Sequence, residues 1–146
     1  MSIKSINPLN GAVIKAYEAY DDALINSILA RSLAAFETQK LRGVDVRCDM
    51  LRKAGAILRD QKDLLARIIV DEMGKLYSAA RSEIEKCADL CDYYAIHAAQ
   101  FLEDDVIGIG AKQSFVRYLP IGPVLAVMPW NFPFWQVFRF AVPALA

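Results

Sequence analysis

The residues with the clearest chemical potential lie at positions 128–133, with the sequence Met-Pro-Trp-Asn-Phe-Pro. They follow an unbroken apolar run at residues 124–128, which has the length of a strand buried on both faces. Open α/β sheets bind their ligands at the carboxyl ends of such strands. The prolines restrict the backbone, Trp130 offers a flat surface, and Asn131 offers an amide donor. The residues alone equally allow a structural turn with Asn131 as a helix cap.

The three cysteines, Cys48, Cys87 and Cys91, have no paired spacing that suggests a disulfide framework. Cys87 and Cys91 are four residues apart on a predicted helix and could supply two metal ligands. The single histidine, His97, stands at an offset that suits no zinc pattern. We therefore predict packed thiols in a reducing compartment, and no metal site.

Other polar residues of the same predicted helix are interpreted as structural. His97 lies near the end of an apolar stripe, without an acid or serine partner set around it. Glu83 and Glu85 share a stretch of the helix with Arg81 and Lys86. This pattern is typical of solvated charges, so we predict that these four side chains lie on an exposed face.

Periodicity and turn formers indicate the elements that must position residues 128–133. Two short β-like stretches around the turn formers of residues 7–11 predict an edge hairpin. Apolar residues at helical spacing then predict three helices: one capped by Asp21 or Asp22 and ending near Gly43, one from about Asp45 to a break at Gly74, and one from about Tyr77 to Leu102.

Beyond residues 103–105 the apolar pattern changes its period. Residues 114–119 alternate as a half-exposed strand does, and a Pro and Gly turn leads to the buried strand at 124–128. Pro133 stands where a helix places its first residue, and the sequence from there to Ala146 is nearly all apolar. A membrane span is disfavoured, because prolines interrupt this region and Asn131 and Arg139 are costly in lipid.

Composition excludes several classes of protein. The chain has 146 residues, of which 55% are hydrophobic and 23% charged, a balance typical of a folded globular protein. Lysine plus arginine and aspartate plus glutamate number 17 each, so there is no excess positive charge for nucleic-acid binding. Residues 1–10 contain no apolar run typical of a secretory signal, and we expect a cytoplasmic protein without nucleic-acid or membrane partners.

The end of the sequence predicts truncation. A buried parallel strand at residues 124–128 needs neighbouring strands to bond its backbone, and no earlier segment resembles a second fully buried strand. The final helix also stops on Pro-Ala-Leu-Ala without a cap. We therefore expect a βα unit that has begun without its sheet.

Residues 120–133, Pro-Ile-Gly-Pro-Val-Leu-Ala-Val-Met-Pro-Trp-Asn-Phe-Pro, followed by Pro-Ala-Leu-Ala, resemble the signature of the aldehyde dehydrogenase superfamily. The order of predicted elements resembles that family along essentially the whole chain. The resemblance implies the N-terminal part of an aldehyde dehydrogenase fold: an edge hairpin, three helices, an oligomerisation strand at about residues 104–119, and the first strand and helix of a Rossmann-like parallel sheet.

In that family a cysteine thiolate attacks the aldehyde, and an asparagine amide and a backbone N–H hold the resulting oxyanion. The resemblance assigns the asparagine role to Asn131. It also implies that Val127, Met128, Pro129 and Trp130 line NAD or NADP, largely through backbone atoms. The family's catalytic cysteine, general-base glutamate and glycine-rich cofactor loop would all follow Ala146.

Arg139 indicates a class of substrate. In succinate-semialdehyde dehydrogenases an arginine at this offset from the asparagine binds the substrate's carboxylate, and residues 135–139, Trp-Gln-Val-Phe-Arg, resemble a bacterial branch of them. A guanidinium suits a carboxylate because it can donate two parallel hydrogen bonds. Gln136 and Phe132 would face the same mouth. Arg139 could instead pair with an acid elsewhere in a complete protein.

Together these features predict an α/β chain in which residues 1–146 form a partial cofactor-binding domain with N-terminal helices, without the catalytic domain. The complete protein would be a homo-oligomer that oxidises a small carboxylate-bearing aldehyde, with succinate semialdehyde as the expected substrate and NAD(P) as the cofactor. This chain alone is predicted to be inactive. The alternative is a noncatalytic remnant that binds partners or oligomerises through the edge strand at residues 114–119.

Overall fold

The computed structural model describes residues 3–108, 110 and 114–146. Its elements in chain order are β1 Ile3–Ile6, β2 Val13–Tyr17, α1 Asp22–Gln39, α2 Val44–Asp60, α3 Lys62–Met73, α4 Tyr77–Phe101, β3 Asp105–Val106, β4 Phe115–Val116 and α5 Pro133–Leu145. The mixture of helices and small antiparallel sheets confirms the α/β class.

β1 and β2 form the predicted edge hairpin, with Ile3 opposite Tyr17 and an irregularity between Ser5 and Ile6. Two asparagine side chains in the turn accept hydrogen bonds from the backbone two residues further on. Asn7 Oδ1 accepts from Leu9 N, and Asn10 Oδ1 accepts from Ala12 N, each at 2.9 Å. Such local bonds explain why asparagine favours turns over strands.

Helix α1 begins where the capping pattern predicts. Asp21 is its N-cap, and the carboxylate accepts a hydrogen bond from Leu24 N at 2.8 Å. The apolar stripe is present but uncovered, because none of the residues of α1 is buried within the described part of the chain. Leu29 and Leu33 are 61% and 56% exposed.

The predicted single helix between Asp45 and Gly74 is divided in two. α2 ends at Asp60 and α3 starts at Lys62, with Gln61 at φ −97° and ψ 12° between them. The one-helix prediction was wrong because the junction at residues 60–63 is entirely polar, so no core contact there holds the chain in one straight helix. The break at Gly74 is confirmed: it has φ 67°, which glycine adopts readily as a helix C-cap.

Helix α4 is the centre of the core, and α2, α3 and α5 pack against it. Ile84, Cys87 and Cys91 on α4 are fully buried. A glycine on α2 allows the close approach of these two helices, because a Cβ on Gly55 would lie 3.2 Å from Cys91 Cβ and 3.3 Å from the carbonyl oxygen of Ala88. Close packing of this kind fixes the positions of both helices.

Polar contacts also join α2 to α4. Arg59 on α2 donates to Glu85 at 2.9 Å, to Asp89 at 2.8 Å and to Asp92 at 2.8 Å. Hydrogen bonds from Lys62 and then from Arg59 lower the pKa of Glu85 below its ordinary value. Because these side chains are partly exposed, the ion pairs align the two helices more than they stabilise them.

The two predicted strands near the end of the chain differ from expectation. Of residues 114–119, only Phe115–Val116 forms a strand, β4, which pairs antiparallel with β3. Part of the region predicted for oligomerisation, residues 109 and 111–113, lies outside the described residues.

The prediction of a strand buried on both faces at residues 124–128 was wrong for this structure. The segment has no assigned regular structure, and Leu125 and Val127 are 88% and 86% exposed. The physical reason is that, among the described residues, no strand lies beside the segment to bond its backbone.

Within the described part of the chain, none of the helices combines the length and the apolar character needed to cross a bilayer.

Candidate functional site

The candidate site is an open loop that leads into α5. Residues 127–132 run without regular structure up to Phe132, the N-cap of α5, and α5 begins at Pro133 as the sequence predicts. Trp130 is 78% exposed and Asn131 is exposed as well. The structure therefore presents the predicted site residues 127–132 on one continuous accessible segment.

Helix α5 supports this loop from one side. Val142 is buried, and Phe134, Trp135 and Phe138 are half-buried against the core around α4. Gln136 and Arg139 project from the same helix, three residues apart, with Gln136 half-buried and Arg139 exposed. The apolar face of α5 thus fixes the helix, while Arg139 stays accessible to a solute.

Glu83 does not lie on an exposed face, and this part of the sequence prediction was wrong. Glu83 is only 4% exposed. One carboxylate oxygen, Oε1, accepts hydrogen bonds from the backbone N–H groups of Phe134 and Trp135, each at 3.0 Å. The other oxygen accepts from Lys75 Nζ. A buried carboxylate is tolerated here because three donors compensate for its desolvation.

These bonds complete the hydrogen bonding at the start of α5. The first helical residue, Pro133, has no N–H group, and Gln136 N bonds the carbonyl oxygen of Phe132 at 2.9 Å. The two remaining N–H groups of this turn, on Phe134 and Trp135, are those that Glu83 accepts. The cap comes from another helix, 51 and 52 residues away, so no local sequence pattern could identify it.

Two lysines contact aromatic rings beside the cap. Lys75 Nζ lies 3.7 Å from the centroid of the Phe132 ring, and Lys86 Nζ lies 3.8 Å from the Trp135 ring. Both arrangements are attractive cation–π contacts. Of the four charged residues predicted to lie on an exposed face, Arg81 and Lys86 are exposed, as predicted, and Glu85 is half-buried. Arg81 pairs with Asp63, and Glu85 pairs with Arg59.

A cleft of about 470 Å³ lies beside the loop, between the hairpin and α3. Trp130, Pro133 and Phe134 line it on the side of the candidate site, and Ser5 and Glu72 line it on the other side. Ser5 Oγ donates to Glu72 Oε1 at 3.0 Å, so the hairpin is tied to α3 at this cleft.

The cysteines are packed thiols, as predicted. All three are unpaired and buried, with Cys87 and Cys91 fully covered. Burial, with a smaller contribution from the charge of Glu83, raises the pKa of Cys87 to about 12. Burial likewise raises the pKa of Cys91 to about 11. His97 packs within an aromatic cluster, with its ring centroid 4.5 Å from that of Tyr93.

Comparison with known proteins identifies the family that this chain resembles. Residues 1–146 match the aldehyde dehydrogenase family. A probable NADP(+)-dependent succinate-semialdehyde dehydrogenase of a Synechocystis species is 43% identical over 145 residues, which are 99% of this chain and 32% of the relative. A succinate semialdehyde dehydrogenase, NAD(P)+, of Escherichia coli is 38% identical over 97% of this chain and 30% of its own length. The chain thus spans about a third of the length of the curated relatives that it matches.

A solved structure shows the same arrangement of elements. The succinic semialdehyde dehydrogenase of Streptococcus pyogenes, in complex with NADP+, superposes with a TM-score of 0.91 at 30% identity. The match covers 97% of this chain and 31% of that protein. The overall arrangement of this chain is therefore that of part of that enzyme.

The raised thiol pKa values predict that Cys87 and Cys91 resist alkylation in the folded chain. At pH 8 the thiolate fraction would be about 10⁻⁴ for Cys87 and about 10⁻³ for Cys91, and only thiolates react appreciably. We expect iodoacetamide labelling, followed by mass spectrometry, to be at least about 100-fold slower than for a thiol introduced by Ser78→Cys at an exposed position of α4.

The same shifts predict lower stability at high pH. The native thiols keep their protons while unfolded thiols lose them above the ordinary pKa of 9.0, so the stability that they contribute falls as the pH rises from about 9 towards 12.

In the labelling experiment, equal rates for Cys87 and for the introduced surface thiol would contradict the burial of Cys87.

Proposed function

This chain belongs to the aldehyde dehydrogenase family, and we propose that it contributes part of the active centre of an NAD(P)-dependent oxidation of a small aldehyde to its carboxylic acid, with succinate semialdehyde as the substrate. The observation that carries the proposal is the loop at residues 127–132, which presents Asn131 directly before a firmly capped helix. The names of the Synechocystis and Escherichia coli relatives support the choice of substrate.

Asn131 is proposed as the oxyanion donor. Its side chain is accessible, and the loop is restricted on both sides by Pro129 and Pro133. An amide held in place before the reaction stabilises developing negative charge without a further reorganisation cost, which is why such donors contribute strongly to catalysis. The nucleophile must come from elsewhere, since all three cysteines of this chain precede Asn131 and are buried.

Residues 127–130 are proposed to line the cofactor. Within the described residues, no strand pairs with this exposed segment, so its backbone N–H and carbonyl groups are available to a ligand. Trp130 adds a flat surface. The segment therefore fits a planar polar ligand. The bound cofactor would supply the hydride acceptor. These residues would orient it and exclude water from its face.

Arg139 is proposed to bind the carboxylate of the substrate, with Phe132 and Gln136 beside it. Arg139 is exposed on α5, eight residues after Asn131, and the helix that carries it is fixed by Phe138 and Val142. A guanidinium on a rigid helix can hold a carboxylate in one orientation, which places the aldehyde at the other end of a short substrate.

The edge at β3 and β4 is proposed as a subunit contact. Phe115 and Val116 are 45% and 46% exposed, and Leu119 and Ile121 nearby are 73% and 92% exposed. An exposed apolar edge of this kind favours pairing with another chain. The same observation favours the second candidate function, a noncatalytic oligomerisation module, which would keep this contact without any turnover.

Asn131→Ala tests the catalytic role. In a chimaera in which residues 1–146 replace the matching segment of the Synechocystis relative, we expect kcat for succinate semialdehyde to fall by about 10² to 10³, because one oxyanion donor is lost. Steady-state NAD(P)H formation measures this. Asn26→Ala, at an exposed position of α1, is the matched control, and the 146-residue polypeptide alone should show no turnover. Unchanged kcat in Asn131→Ala, or an inactive but folded chimaera, would contradict the proposed function.

Arg139→Leu tests the substrate class. In the chimaera we expect kcat/KM for succinate semialdehyde to fall by about 10- to 100-fold, while that for butanal changes little, because only the first substrate carries a carboxylate for the guanidinium. The comparison of the two aldehydes in the same preparation is the measurement. Arg31→Leu, on the exposed surface of α1, controls for the loss of a surface charge. An equal loss on both aldehydes would rule out carboxylate binding by Arg139.

A further inference from the structure

A buried ion pair lies directly behind the loop that carries Asn131. Glu83 on α4 and Lys75, in the turn before α4, have side chains only 2% and 15% exposed. Neither residue belongs to the proposed oxyanion, cofactor or substrate positions. A buried ion pair is weak evidence for stability, because the desolvation of two charges offsets most of their attraction.

The partners of Glu83 indicate that its role is to position another element, α5. Its Oε1 accepts both N–H groups at the start of α5, on Phe134 and Trp135, at 3.0 Å each. A negative charge at this end of a helix also interacts favourably with the helix dipole. Glu83 therefore determines where the first turn of α5 lies relative to α4.

The position of Asn131 depends on that turn. Asn131 is separated from Phe134 by Phe132 and Pro133, and the proline ring fixes one of the backbone angles between them. The Phe132 ring is held under Lys75, the residue that also bonds Glu83. On the other side of Asn131, residues 121–129 have no regular structure in the described chain. Glu83 and Lys75 thus connect the residues that directly follow Asn131 to α4 and to the turn before it.

We propose that Glu83, oriented by Lys75, is a positioning residue that places the Asn131 amide for the reaction. This inference rests on the proposed function, since it assumes that Asn131 donates to the oxyanion. It assigns a reaction-related role to a carboxylate about 50 residues away in sequence. Small displacements of a donor matter, because a misplacement of about 1 Å can cost about 100-fold in rate.

A double-mutant cycle separates positioning from a purely structural cap. The variants are Glu83→Ala, Asn131→Ala and the two together, in the chimaera described above. If Glu83 acts through Asn131, Glu83→Ala should lower kcat by about 10-fold or more and change KM by less than about threefold, whereas in the Asn131→Ala background it should change kcat by less than about threefold.

Glu85→Ala is the matched control, because Glu85 lies on the same helix and forms ion pairs with Arg59 and Lys62 away from α5. It should leave kcat within about twofold. Glu83→Gln keeps an oxygen that can accept the two N–H groups, so it should recover part of the loss seen in Glu83→Ala. A folding defect alone would lower the amount of active enzyme without the non-additivity towards Asn131.

Hydrogen exchange on the same proteins reports the contact itself. The amides of Phe134 and Trp135 should exchange at least about 10-fold faster in Glu83→Ala than in Glu85→Ala, because they lose their acceptor. Unchanged exchange at these two amides would overturn the cap and the inference with it.

The outcomes separate this inference from the proposed function. If Asn131→Ala is impaired but Glu83→Ala has normal kcat, or the two losses multiply, the positioning role is overturned and the proposed function stands. If Asn131→Ala is as active as the parent chimaera, both are overturned. Impairment of both single variants without a further loss in the double variant supports the positioning role.

Discussion

Two backbone N–H groups at the start of α5 require an acceptor, and this requirement shapes much of the structure around the loop. Pro133 begins the helix without an N–H of its own, and Phe132 has no side-chain oxygen that could serve as a cap. The acceptor is the carboxylate of Glu83, which must be desolvated to reach them. Its burial in turn requires Lys75, and Lys75 lies over Phe132. The hydrogen bonds and contacts that satisfy these two N–H groups thus connect α4, α5 and the loop.

The apolar packing serves the same arrangement. Gly55 lets α2 approach α4 closely, and the buried face of α4 receives Val142 and the aromatic side chains of α5. These contacts are non-directional and fix α5 against the core without specifying the position of its first turn. The hydrogen bonds from Glu83 supply the direction. Elsewhere the described structure leaves apolar surface uncovered, on α1 and at residues 124–128, and surfaces of that kind usually mark contacts with further protein.

Much of this fold could be predicted because its determinants are local. The hairpin follows from turn formers, the start of α1 from Asp21, the end of α3 from Gly74 and the start of α5 from Pro133. The division of α2 from α3 at Gln61 was missed, because the apolar stripe continues on both sides of the polar junction and the period alone cannot reveal a break. An apolar run predicts a buried strand only where neighbouring strands are present, which explains the failure at residues 124–128.

Glu83 illustrates what sequence periodicity can and cannot provide. The buried residues of α4 include Ala80, Ile84 and Cys87, and Glu83 lies on the same stripe because it is three residues after Ala80 and four before Cys87. Glu85, two residues along the helix, points away from that stripe and remains partly exposed. The spacing could therefore have indicated a buried carboxylate. Its two backbone partners could not be inferred, because they lie about 50 residues further along the chain and are N–H groups that every residue except proline possesses. A charged residue on an otherwise apolar helical stripe is thus a reason to search for helix ends without a local cap.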